Sequence, residues 1–210
     1  MYTPATFAES GREVLLDFIA EYGFATLVSS TAAGPVVSHV PLLLDRATPG
    51  EERLLGHVAR ANQHWKQFDD QAPVLAIFHG PHGYVSPAWY ASSPSVPTWN
   101  YAVVHVHGVA QLVDTDLTES TLRRLIEKYE GPRANSWAGN LPTEFVRDEL
   151  RAIVGFKIPI ARIEGKFKLS QNKDPVDRAG VLAGLENAPD LASRELASFS
   201  RKYYARRGRG

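Results

Sequence analysis

Two stretches of this chain hold side chains whose types and spacing could do chemistry. The first is Gly56-His57-Val58-Ala59-Arg60-Ala61-Asn62-Gln63-His64-Trp65. It reads as a strand running into a helix start, with Arg60 just before the helix and Lys66 one turn in. Such a junction gathers free backbone N–H groups, the positive end of a helix dipole and cationic side chains, so a phosphate would suit it. A solvated turn fits the same residues, because basic side chains near helix starts are common. Neither a Rossmann nor a Walker glycine-rich loop occurs, so the two familiar nucleotide cradles are not expected. The second stretch is Ser95-Val96-Pro97-Thr98-Trp99-Asn100-Tyr101, which sets two aromatic rings, an amide and a hydroxyl at the start of a long strand. That combination suits a flat heteroaromatic ligand; a packed loop with its indole and phenol satisfied in the core is the competing reading.

The histidines allow a metal site to be drawn, with His105 and His107 two apart on one strand face and His79 and His82 flanking a Gly-Pro pair. No acidic or cysteine ligand accompanies them in the same segment and no H-E-x-x-H occurs, so no metal is expected. A G-x-S-x-G elbow is also missing, which leaves a hydrolase nothing to stand on.

The elements that must position these residues follow from periodicity. Phe7, Val14, Leu15, Phe18, Ile19 and Tyr22 form one apolar stripe of a helix over residues 6–22, stopped by Gly23. Strands are expected at 24–30 and 36–44, joined by a hairpin turn at Ala33-Gly34; Pro41 inside the second places it at an edge, at a bulge or facing a ligand. Residues 45–52 read as a turn-rich connection. A strand at 53–59, a short helix at 61–68 that Asn62 could cap, and strands at 73–79, 84–89 and 100–113 follow. On the last of these, Ala102, Val104, Val106, Ala110 and Leu112 share one face, and Tyr101, Val103, His105, His107 and Val109 the other. The first face is core, whereas the second is mixed enough to meet a partner subunit. Helices are expected at 117–130, capped by Asp116 or Thr118, and at 141–150. A strand pair or one bent strand follows at 153–167, then helices at 176–185 and 191–204. Links this short cannot hold crossover helices, so the fold class is mainly β with flanking helices, built as an antiparallel barrel.

Composition bounds the rest. The 210 residues are 44% hydrophobic and 22% charged, with no apolar run long enough to span a membrane. The opening Met1-Tyr2-Thr3-Pro4 does not resemble a signal peptide and the chain has no cysteine, so a cytoplasmic location is expected. Lysine plus arginine equals aspartate plus glutamate, 23 against 23, which leaves no global attraction for a polyanion. One local bias remains, because Arg201, Lys202, Arg206, Arg207 and Arg209 crowd the end of the chain. A solvated terminus and a DNA contact are the two readings of that tail.

Taken in order, a set of motifs resembles the PaiB-like family of FMN-binding negative transcriptional regulators. The motifs are Ser38-His39-Val40-Pro41-Leu42, Gly56-His57-Val58-Ala59 with Asn62-Gln63-His64-Trp65, Phe78-His79-Gly80-Pro81-His82-Gly83-Tyr84-Val85-Ser86, Val96-Pro97-Thr98-Trp99-Asn100-Tyr101 with Val104-His105-Val106-His107-Gly108, Ile153-Val154-Gly155-Phe156-Lys157-Ile158 and Lys168-Leu169-Ser170-Gln171-Asn172-Lys173. The resemblance reaches Lys173 and implies an antiparallel Greek-key split β-barrel, shared with pyridoxamine phosphate oxidase-like flavoproteins, over residues 1–173, with a helical extension and basic tail over 174–210. It also implies a homodimer with FMN in the cleft between subunits. On that reading His57 to Asn62 lie at the phosphate and ribityl end, with Arg60 as the charge partner. Ser38, His39, Val40 and Pro41 run along the isoalloxazine ring, Ser86 adds a phosphate hydroxyl, and Trp99, Asn100 and Tyr101 come from the partner subunit. The loop at 91–95 is small and serine-rich, so contacts from a bulky charged loop are not carried over.

The leading functional reading is therefore a cytoplasmic, homodimeric FMN-binding protein of the regulator family. An FMN-dependent oxidoreductase or flavin reductase is the alternative, since the flavin itself carries hydride chemistry, although the cleft segments offer no carboxylate as a general acid. A haem-handling barrel rests only on spare histidines such as His105. No helix-turn-helix is expected, because about ten residues including Gly131-Pro132 separate the helices at 117–130 and 141–150. The tail arginines are then the candidates for DNA.

Overall fold

In the computed structural model residues 1–46, 50–68, 72–131 and 142–207 are described. The strands are β1 (Ala8–Glu9), β2 (Phe24–Thr31), β3 (Gly34–Pro41), β4 (Leu43–Asp45), β5 (Arg53–Ala59), β6 (Pro73–Val85), β7 (Thr98–Val109), β8 (Gln111–Leu112), β9 (Ile153–Pro159) and β10 (Arg162–Lys168). The helices are α1 (Arg12–Glu21), α2 (Thr115–Glu130), α3 (Thr143–Arg151), α4 (Pro175–Glu186) and α5 (Leu191–Arg207), with short 3-10 turns at Ala5–Phe7, Gln63–Gln67 and Pro87–Trp89. One sheet has the order β1-β10-β7-β6-β2-β3 and the other β4-β5-β9-β8. Every registered pairing is antiparallel, as the short connections require. Among the described residues no helix is long and apolar enough to cross a membrane.

Several elements differ from expectation for identifiable reasons. The strands expected at 73–79 and 84–89 are one strand, β6, which passes through Gly80-Pro81 without turning. A residue before proline favours extended backbone, and proline's own φ is compatible with a strand, so the pair permits extension as readily as a turn. The strand expected at 36–44 instead stops at Pro41 and resumes as β4 in the second sheet. The stretch at 153–167 is two strands that lie in different sheets, and 100–113 breaks at Ala110. Helix α2 starts two residues early because Asp114 is its cap, accepting from the Leu117 amide at 2.8 Å. Thr118, an expected cap, donates its hydroxyl to the Asp114 carbonyl at 2.7 Å. The linker between α2 and α3, the middle of the 45–52 connection and Arg209 lie outside the described residues.

The chain forms two compact units, and the divisions fall inside α1, β6, β7 and β10. One comprises Met1–Leu15, His79–Val104 and Glu164–Gly210, the other Leu16–Phe78 and His105–Ile163. In the first, α4 carries Gly180 and Gly184 against Trp89; a Cβ at Gly184 would fall 2.2 Å from Trp89 Cδ2, so the indole lies directly on the helix backbone. Glu9, buried, accepts from the Tyr203 hydroxyl at 2.8 Å and ties α5 to the chain's first strand.

In the second unit Leu27, Leu42, Leu54, Leu55, Phe68, Phe78, Phe156 and Ile158 are fully buried. Leu43, Leu55 and Leu125 form a cluster that seats α2. Beside it, the buried Asp45 carboxylate accepts from Arg53 Nε at 2.8 Å and pairs with Arg124 Nη1 at 3.1 Å. Burial pushes that carboxyl up, but the two guanidinium groups outweigh it and hold the acid below its ordinary value. Helix α2 also crosses β9 closely, because a Cβ at Gly155 would sit 2.0 Å from Thr118 Oγ1 and 2.9 Å from Val113 Cγ2. Gly155→Ala should therefore overpack this junction and lower stability by about 1–3 kcal/mol, read as a lower midpoint in urea unfolding.

Candidate functional site

Two of the motifs expected at the flavin, Ser38–Pro41 and His57–Asn62, meet in the second unit through the path of β3. Proline has no N–H to continue a ladder, so β3, the edge strand of its sheet, ends at Pro41. The next residue, Leu42, is fully buried and donates its amide to Gly23 at 2.8 Å. Gly56 lies against this crossover: a Cβ there would fall 2.6 Å from Leu42 Cδ2 and 3.4 Å from the Pro41 carbonyl oxygen. Glycine at this position leaves room for the buried Leu42 side chain, and the segment Gly56–Asn62 reaches Ser38 through the Asn62 side chain.

Between them stands a polar chain that is exposed at Asn62 and buried at Ser38, His64 and Ser29. Asn62 Nδ2 donates to Ser38 Oγ at 2.9 Å, Ser38 Oγ lies 2.8 Å from His64 Nδ1, and His64 Nε2 lies 2.8 Å from Ser29 Oγ. Asn62 also caps the Gln63–Gln67 turn, its Oδ1 accepting from the His64 amide at 3.0 Å. The donor order that uses every group runs from the Asn62 amide to the Ser38 hydroxyl to His64 Nδ1, with the imidazole proton on Nε2 facing Ser29. That order requires a neutral ring. Burial, which pushes the His64 pKa below its ordinary 6.5, acts in the same direction. The 61–68 turn thus buries His64 and Phe68 while Trp65 stays half-buried, its indole N–H donating to the Arg60 carbonyl at 3.0 Å.

The other expected residues of this unit take distinct places. Val40 is buried. His39 is exposed, with Nδ1 3.2 Å from Thr26 Oγ1. His57 sits on β5 with a buried Nδ1 that has no partner among the described residues, and burial lowers its pKa below 6.5. Arg60 donates from Nε to the Arg151 carbonyl at 2.7 Å and from Nη2 to the Ile153 carbonyl at 2.9 Å. Its guanidinium therefore bridges the last carbonyl of α3 and the first of β9.

Ser86, Trp99, Asn100 and Tyr101 belong to the first unit. Ser86 Oγ caps the Pro87–Trp89 turn by accepting from the Ala88 amide at 3.2 Å. Trp99 is 55% exposed, flanked by His82 and Tyr84 with ring centroids 6.3 and 6.0 Å away. Lys168 Nζ donates to the Trp99 carbonyl at 2.9 Å and also to Thr98 Oγ1. Asn100 is buried: Nδ2 donates to Ser170 Oγ at 2.9 Å, and Oδ1 has no partner among the described residues. Ser170 itself adopts φ 70°, a region that non-glycine residues enter at a cost. Tyr101 has the Lys166 ammonium 5.4 Å from its ring centre. Trp99 and Tyr101, with His79, His82 and Val103, line an open cavity of about 400 Å³, within the size range of small-molecule sites.

The aromatic faces of Trp99 and Tyr101 on this cavity, with the Lys166 ammonium over the Tyr101 ring, fit a flavin, which offers a flat ring and polar edges. Burial, and after it the neighbouring Lys166 charge, hold the Lys168 pKa below its ordinary 10.5. The sequence alone assigns no role to His64, Ser29, Lys166, Lys168 or Ser170. Signals for three of them were present: His64 lies in the second motif, and Lys168 and Ser170 in the last.

The comparisons with known proteins bear on the same residues. Residues 1–162 match the family model described as "Putative FMN-binding domain". The chain belongs to this family. It is 35% identical over 201 residues, 95% of this chain and 96% of the other, to the protease synthase and sporulation protein PAI 2 of Bacillus subtilis, which places it in the PaiB-like branch. FMN is the cofactor that this family membership assigns. Among solved structures, the FAD and haem binding protein from Mycobacterium smegmatis matches with a TM-score of 0.63 at 18% identity, covering 82% of this chain and 78% of that one. Flavocytochrome Anf3 from Azotobacter vinelandii matches with a TM-score of 0.62 at 19% identity, covering 82% and 75%. These likenesses show a shared fold, the split β-barrel expected from the motifs.

The two buried histidines of this FMN-binding protein predict its response to acid. A histidine whose folded pKa lies below 6.5 binds its proton more readily when unfolded. Its contribution to stability is thus complete above about pH 6.5 and is lost as pH falls through the folded value. The melting temperature should fall between about pH 7 and about pH 5, and His57→Gln and His64→Gln should each flatten part of that fall in a pH series of thermal melts.

Proposed function

We propose that the protein works in the cytoplasm as a homodimer that holds FMN between subunits and serves a regulatory role. The observation that carries this reading is the exposed aromatic group Trp99, His82 and Tyr84 beside the cavity. Large exposed aromatic surface of this kind marks a site of association or ligand binding. In this reading one subunit offers Ser38, His39, Val40 and Pro41 along the ring and His57, Arg60, Asn62 and Ser86 toward the ribityl phosphate. The other contributes Trp99, Asn100 and Tyr101. When bound, FMN supplies redox chemistry, and the chain's own residues orient and shield it. The Bacillus subtilis relative is a protease synthase and sporulation protein, and its tie to sporulation supports the regulatory reading.

The DNA-facing part of the proposal rests on Lys202 and Arg206, both exposed on α5. Two other cations of the tail are already engaged: Arg201 pairs with Glu186, and Arg207 lies 3.9 Å from the Glu9 carboxylate and over the Tyr203 ring.

Adding FMN to purified protein should quench flavin fluorescence and yield a yellow species that sediments at twice the 23.2 kDa chain mass. A flavin-loaded monomer would overturn the subunit arrangement, and steady NAD(P)H oxidation by the loaded protein would make it an oxidoreductase. Arg60→Ala should weaken FMN binding by about 1.5–3 kcal/mol and leave riboflavin, which lacks the phosphate, bound as before. An equal loss for both ligands would confine Arg60 to its place at the end of α3.

A further inference from the structure

Ser38 and Asn62 are held in place by one residue, His64, the first through its ring and the second through its backbone amide. His64 is 1% exposed, and both of its ring nitrogens and its backbone amide are engaged. Nδ1 lies 2.8 Å from Ser38 Oγ on β3, Nε2 lies 2.8 Å from Ser29 Oγ on β2, and the amide donates to Asn62 Oδ1 at 3.0 Å. Asn62 closes the loop by donating to the same Ser38 hydroxyl at 2.9 Å. The ring is backed by Phe68, with centroids 5.4 Å apart, and Phe68 by Phe156 at 4.9 Å, so the imidazole cannot swing without moving fully buried side chains. A rigid ring with a nitrogen on each side is suited to bridging two hydroxyls on neighbouring strands. An amide side chain carries both of its polar atoms at one end and cannot span them in the same way.

We propose that His64 is a positioning residue for the flavin, locking Ser38 and Asn62 in one orientation relative to each other so that the edge of β3 and the start of the Gln63–Gln67 turn present a preformed surface to the cofactor. Preformed surfaces bind more tightly because little ordering remains to be done on binding. His64 acts through its two neighbours and touches no ligand. This inference rests on the assignment of Ser38 and Asn62 to the FMN site.

The test uses the full-length protein, FMN titrations followed by flavin fluorescence, the absorption spectrum of the bound flavin, and thermal melts as a control for folding. Ser38→Ala and Asn62→Ala examine the site. His64→Gln examines the positioning role and is expected to raise the FMN dissociation constant about three- to tenfold and to shift the bound-flavin spectrum in a protein that still melts cooperatively. Combined with Ser38→Ala it should cost less than the sum of the two single changes, because both break the same link. A folded His64→Gln protein with wild-type affinity and spectrum, alongside weakened Ser38→Ala and Asn62→Ala proteins, would overturn the positioning role and leave the site standing. Wild-type affinity in Ser38→Ala and Asn62→Ala would instead remove the site assignment. Should His64→Gln not fold, Ser29→Ala cuts only the far link of the ring; unchanged affinity and spectrum there would equally overturn the proposal.

Discussion

The arrangement around the proposed cofactor site depends on one constraint, the place where the chain leaves one sheet for the other. At Pro41 the ladder ends for want of an N–H, and at Leu42 the chain is fully buried on its way to β4. A Cβ at position 56 would fall 2.6 Å from Leu42 Cδ2 and 3.1 Å from Phe156 Cζ, so β5 approaches the crossover where a glycine leaves room for these buried side chains. With β5 held there, its continuation into Asn62 and His64 must pass Ser38. The polar chain of Asn62, Ser38, His64 and Ser29 is thus a product of backbone geometry first and of side-chain chemistry second.

Buried polar groups need partners, and an unpartnered one costs far more than an ordinary hydrogen bond contributes. By this measure the two compact units hold two sorts of polar group. Those around His64 satisfy one another completely. The Nδ1 of His57 and the Oδ1 of Asn100 do not find partners among the described residues. Asn100 is moreover held by a serine in a strained backbone region, which is the kind of local cost that folds retain at functional positions. Satisfied groups keep the structure rigid; unsatisfied ones are where a ligand has something to offer.

Much of the fold was legible in the sequence, and the parts that were not have a common cause. Strand β5, helix α2 and the alternating faces of β7 follow from local apolar periodicity, and each is present with small shifts at its ends. Asn62 as a cap was readable from its place before the turn. The continuous β6 was not, because Gly80-Pro81 is equally at home in a turn and in extended backbone. Nor could periodicity assign β9 and β10 to different sheets, since partner choice is decided by packing far along the chain. At the site, motif order identified the family, yet the importance of His64 stayed hidden. A buried imidazole and an exposed one look alike in a sequence, and only the positions of Ser29 and Ser38 on adjacent strands separate them. The assignment of Arg60 shows the converse: its charge was plain, while its engagement with the carbonyls of Arg151 and Ile153 depends on residues more than ninety positions away.

The composition of the first compact unit has a consequence for how the protein is made. That unit joins residues 1–15 to residues 79–104 and 164–210, and its helix α4 carries two glycines where Trp89 rests on the backbone. A helix with two internal glycines is weak alone, by about 1 kcal/mol for each, and gains its stability by docking. During synthesis the second unit has all of its segments once residue 163 has emerged. The first must wait for the final helices, with Trp89 lacking the backbone on which it rests until α4 arrives. The second unit can thus form before the first, and the residues Trp99, Asn100 and Tyr101 proposed for the flavin lie in the unit whose last segment is made last.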